Sequence, residues 1–127
     1  DLIQEMLNED GQAAPDTADE FDFLLSLASL YVRMNRSTEA VHVSKAAVRM
    51  KPTKDRITNL AMILEAIGNL EEARDLLLQL VDQGEMSALI CETLGRIYKS
   101  LGEPGLAIDF IQRGVEFSAL ESKSAST

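Results

Sequence analysis

Catalysis and metal binding require particular side chains brought close together, and this chain offers few of them. His42 is its single histidine and Cys91 its single cysteine. His42 lies between Val41 and Val43 in a stretch of helical period. That setting predicts a partly exposed surface imidazole rather than a general base. Cys91 falls at an apolar position, where a free thiol behaves as a small hydrophobe. Nothing in their spacing pairs the two as nucleophile and base. Glu71, Glu72 and Asp75 cluster at the start of a helical stretch, which the helix dipole explains without a bound cation. No paired histidines or cysteines stand at zinc-ligand spacing, and the glycines read as helix stops rather than a phosphate loop. The expectation is a chain with no catalytic site, no cofactor and no metal.

Charge narrows the choice of partner. The net charge is −9, and residues 1–20 hold seven acids and no base. Phosphate backbones need clustered Lys and Arg, so a nucleic-acid partner is not expected. No apolar run is long enough to cross a bilayer, which argues against membrane insertion. A lone cysteine rules out an intramolecular disulfide and suits a reducing compartment, so a cytoplasmic location is expected. No secretory leader is legible, and the start at Asp1 is compatible with a processed or trimmed terminus.

The elements that must carry any function are helices. No segment sustains the apolar–polar alternation of a strand. Residues 1–10 form an amphipathic pattern, with Leu2, Ile3, Met6 and Leu7 on one wide face, and Gly11–Asp16 reads as a linker. Thr17-Ala-Asp-Glu20 is a capping-box sequence that starts the first long helix near Ala18. Asn35-Arg36 turns it into a second helix capped by Ser37, which ends before Pro52. A second pair begins near Lys54, breaks at Gly68, restarts with Asn69 as cap and closes at Gly84. A third pair begins near Ser87, breaks at Gly102 and restarts at Pro104, with its last helix expected to end near Leu120.

These pairs are in register. Ala40, Ala73 and Ala107 follow one another at 33 and 34 residues. Leu27-Ala28, Leu60-Ala61 and Leu94-Gly95 keep the same register, as do Tyr31, Leu64 and Tyr98, and then Asn35, Gly68 and Gly102. The pattern Leu-Gly-x-x-Tyr, with Gly four residues and Ala nine residues after the Tyr, resembles the tetratricopeptide repeat signature. Three copies are placed at about 21–53, 54–87 and 88–120. The family's tryptophan position holds Leu24, Ile57 and Cys91, and its second-helix aromatic position holds Ser44, Leu77 and Ile111. Pro52 ends the first repeat, whereas Glu85 and Ala119 stand at that place in the others.

The resemblance implies an all-α solenoid of helix–turn–helix repeats, about six helices with a short N-terminal helical segment. It divides the chain into an acidic segment and linker at 1–17, a repeat domain at 18–120 and a polar tail at 121–127. It also implies a protein or peptide partner held along the first helices of the repeats. Carried over, the pattern names Asp22, Leu25, Ser29, Val32 and Arg33, then Asp55, Thr58, Met62 and Glu65, then Leu89, Glu92, Arg96 and Lys99. Helical geometry turns these residues away from Leu27, Leu60 and Leu94. The family's carboxylate clamp of Lys and Asn is missing, since Leu25, Ser29, Thr58, Met62, Glu92 and Arg96 stand at its positions. The mixture of apolar residues with Arg96 and Lys99 suits an amphipathic helix or extended segment carrying acids. The bland alternative for the same residues is a solvated face.

Two further readings follow. Small acidic three-repeat proteins with an N-terminal helical extension resemble bacterial type III secretion chaperones for translocator or needle subunits. Alternatively the repeats serve self-assembly. The last helix bears on that: Ala107, Ile108, Ile111, Gly114 and Val115 are expected to face their own repeat. Leu106, Phe110, Phe117 and Leu120 then form a second stripe, to be covered by a second copy in a homodimer or by the Leu2, Ile3, Met6 and Leu7 face.

Overall fold

Four residues placed where helices must stop adopt the left-handed backbone: Asn35 at φ 61°, Gly68 at 92°, Gly84 at 82° and Gly102 at 80°. Each closes its helix with the same pair of bonds. The amide after the left-handed residue donates to the carbonyl five back, as in Arg36 to Tyr31, Asn69 to Leu64 and Glu103 to Tyr98, all at 2.8 Å. This satisfies carbonyls that the end of a helix would otherwise leave orphaned.

The computed structural model describes residues 18–126, with the side chains of 21–122. Six helices follow in order: α1 (Ala18–Arg33), α2 (Ser37–Met50), α3 (Lys54–Ala66), α4 (Leu70–Asp82), α5 (Ala88–Ser100) and α6 (Pro104–Ser126). No strand occurs among the described residues. The amphipathic reading of residues 1–10, the linker and the Thr17 cap lie outside them.

Starts and stops show where side-chain chemistry acts. Ser87 caps α5, its Oγ accepting from Ile90 N at 3.1 Å. Thr53 does the same for α3, accepting from Arg56 N at 3.2 Å, a cap the sequence reading did not name. Ser37 does not cap α2 as expected; it is that helix's first residue, and Arg36 precedes it without a side-chain capping bond. Asn69 holds the N-cap place of α4, also without such a bond. The last helix does not end near Leu120 but runs to Ser126. Residues 121–126 contain neither Gly nor Pro, and polarity alone does not stop a helix.

The chain divides between Ile63 and Leu64, inside α3, into two units. In the first, α1 lies on α2. Ala28, Ala40, Val43 and Ile63 form its buried centre, with Leu24, Leu27, Tyr31, Val32 and Val41 against it. Arg56 is buried there too. Its Nη1 donates to Ala47 O at 2.9 Å, and its guanidinium lies 4.8 Å from the Phe21 ring centre.

In the second unit α5 packs against both α4 and α6. Leu77, Ile90, Cys91, Leu94 and Ile97 are fully buried. Tyr98 stacks on Phe110 with ring centres 5.7 Å apart. Gly95 is required at the crossing of α5 and α6, because a Cβ there would lie 2.6 Å from Ile111 Cγ1. Gly114 faces back across the same crossing, where a Cβ would stand 3.2 Å from Cys91 Cβ.

Candidate functional site

The side chains that could do chemistry lie apart from one another. Cys91 is buried, its Sγ 3.6 Å from Met86 Sδ. Burial pushes its thiol up, and Arg113 pulls weakly the other way, so the reactive thiolate is disfavoured. His42 is half-buried with its Nε2 lacking a hydrogen-bond partner among the described residues. Asp75 accepts from Arg74 Nε at 3.0 Å. Among the described residues no three acidic, histidine or cysteine side chains gather where a metal could bind. None of the described helices is long and apolar enough to cross a membrane.

The first-helix faces are therefore the remaining candidate, taken unit by unit. On α1, Asp22, Ser29 and Arg33 are exposed while Leu25 and Val32 are half-buried, Val32 packing on the core. On α3, Asp55 is exposed and Met62 half-buried. Thr58 is a correction: it is buried rather than outward, and its hydroxyl donates to Lys54 O at 2.7 Å. A threonine bonded back to its own helix presents little to a ligand.

In the second unit one face of α5 is open. Leu89, Glu92 and Lys99 are exposed along it, at the spacing of successive turns. Arg96 belongs to the same face but is not a free cation. Its Nε and Nη2 each reach a different oxygen of Glu65 at 3.0 Å, and its Nη1 reaches Glu92 at 3.1 Å. The bond to Glu65 holds the guanidinium above its ordinary value, burial opposing slightly. Such a fork fixes direction as well as charge, and it leaves Lys99 as the cation of this face that no carboxylate pairs among the described residues. Sequence spacing placed Arg96 on this face; it carried no signal that Glu65 would neutralise it.

The stripes of α6 are redistributed. Phe110 is buried against Tyr98, and Arg113 covers its ring at 5.2 Å. Ala107 and Gly114 are buried as expected, with Phe117 half-buried beside them. Ile108, Ile111 and Val115, expected to face inward, are 55%, 47% and 66% exposed. Leu106 and Leu120, the other members of the second stripe, are exposed in the single chain. The reason is angular: Ala107, Phe110, Gly114 and Phe117 recur at three and four residues and define one narrow inward face. Beside Gly114 opens a hollow of about 240 Å³ lined by Ala88, Glu92, Ile111, Gly114, Val115 and Ser118.

A family model described as tetratricopeptide repeat matches residues 21–54 and 88–119, together just over half of the chain. Its two segments start where the first and third repeats start. No curated protein matches the chain.

Proposed function

The chain belongs to the tetratricopeptide repeat family, a family of protein–protein interaction modules, and from that premise we propose how this member binds. It is a non-catalytic module that holds a segment of another protein against the exposed faces of its first helices. The observation that carries this reading is the α5 face. Leu89 is 44% exposed beside Glu92, Arg96 and Lys99, on a helix whose opposite side is fully buried. An apolar anchor next to an oriented ion pair and an available cation suits an amphipathic segment that carries acids. In the first unit, Leu25 and Met62 offer the corresponding apolar contacts.

A rigid helix also favours binding, because little side-chain or backbone freedom remains to be lost there. Arg96, pinned by Glu65, is already ordered in this way.

Panning a displayed peptide library against the full chain tests the reading. Selected peptides should carry apolar residues with nearby acids, and Leu89→Glu/Lys99→Glu should weaken them by tenfold or more. Such a loss corresponds to about 1.4 kcal/mol. Leu25→Glu/Met62→Glu should weaken them independently while the helical circular dichroism signal stays. Peptides that bind both folded double variants as tightly as the parent chain would place the site elsewhere.

A further inference from the structure

The first and last helices each expose an apolar stripe that includes positions buried in other repeats. On α1, Phe23, Leu30 and Met34 just beyond it are 76%, 51% and 60% exposed. In the third repeat the same register positions are Ile90, Ile97 and Leu101, the first two fully buried. On α6, Ile108, Ile111 and Val115 are exposed, whereas Leu77, the counterpart of Ile111 in the second repeat, is fully buried and Val81, the counterpart of Val115, is half-buried. Within the second unit α4 packs on α5, so the second helix of one repeat covers the first helix of the next.

A single contact in the first unit shows how that covering works. Arg56, two residues into the second repeat, reaches Ala47 O at 2.9 Å and lies over Phe21. Phe23 stands at the Arg56 position of the first repeat. Gly114 and Ala88 stand in the third repeat where Ala47 and Phe21 stand in the first. Both line the hollow on the α5–α6 surface. The third repeat thus replaces a ring and a methyl with smaller groups and leaves room, while the first repeat places a large exposed ring at the position that would fill it.

We propose that copies of this chain associate head to tail, α1 of one copy docking on α5 and α6 of another with Phe23 in the hollow beside Gly114. The contact continues the repeat-to-repeat interface from one molecule to the next. The two surfaces are different patches rather than one self-complementary patch, so the contact is heterologous and does not close at a dimer. It uses none of the residues assigned above to partner binding except Glu92 at the rim of the hollow, and it stands whether or not that assignment does. A net charge of −9 makes copies repel one another, so association strengthens with salt.

Light scattering on the full chain at rising concentration tests this directly. The molar mass should grow without levelling at two copies, and more so at high salt. Phe23→Glu and Val115→Glu should each remain monomeric alone, since each lacks one surface. Mixed in equal amounts they should form a pair of twice the mass, because each still carries the surface the other lacks. Leu30→Ser and Ile108→Ser provide a milder second pair with the same expected behaviour, and circular dichroism checks that all four fold. A monomeric parent chain at every concentration would overturn the proposal; so would a mixture that stays monomeric. An assembly abolished by Val115→Glu but untouched by Phe23→Glu would show that α6 meets itself or another segment, and would equally overturn it.

Discussion

The first and third repeats share a register but not a degree of packing. Around α5 the chain buries Ile90, Cys91, Thr93, Leu94, Gly95, Ile97 and Tyr98. Around α1, among the described side chains, Ala28 alone is fully buried. Two causes separate them. The α5 helix has neighbours on two sides, α4 and α6, whereas α1 lies mainly on α2. The α5–α6 crossing also has Gly95 and Gly114 where α1 and α2 have Ala28 and Ala47, and removing a methyl from each helix lets them approach. Equivalent sequence positions thus set which residues face one another, and the neighbours decide how much is buried.

Core truncation should separate the repeats most. Leu94→Ala, at a fully buried site, should cost about 2–5 kcal/mol. Leu27→Ala, its half-buried counterpart in the first repeat, should cost about 1–2 kcal/mol. Urea denaturation measures both, and equal losses would erase the contrast.

The crossing itself can be tested next. Gly95→Leu drives carbon into Ile111 and should lose about 1–3 kcal/mol. A melting temperature unchanged from the parent chain would mean that α5 and α6 are not held at this separation.

Turns should differ least. Gly102 and Asn35 occupy equivalent left-handed positions. A Cβ costs roughly 1–2 kcal/mol in that conformation, less for Asn, which tolerates it. Gly102→Ala should therefore destabilise by about 1 kcal/mol. Asn35→Gly should stabilise by no more than a few tenths, seen as a small rise in melting temperature. A large gain from Asn35→Gly would show strain in the first turn that the second and third avoid.

Helices, turns and register were legible because each is written in local spacing: Ala40, Ala73 and Ala107, then Asn35, Gly68 and Gly102. Gly95 was legible as a register position for the same reason. The direction of α6 was not. Leu106, Ile108, Phe110, Ile111, Val115, Phe117 and Leu120 cover most of that helix's circumference, so periodicity left two faces open, and stacking of Phe110 on Tyr98 chose between them. The first-helix faces were legible as positions but not as chemistry. Arg96 is committed to Glu65 across 31 residues, and Arg56 is drawn inward by Ala47 O and Phe21. Both depend on contacts between helices, which spacing along one helix does not encode. Thr58 was read as outward for want of the same information.

The central claim is that a partner segment sits on the α5 face. Backbone amide shifts recorded while a library-selected acidic peptide is titrated into the full chain test it most directly. The largest saturable changes should fall on Leu89, Glu92, Arg96 and Lys99. Changes confined to Ile108, Ile111 and Val115, with those α5 amides unmoved, would contradict it.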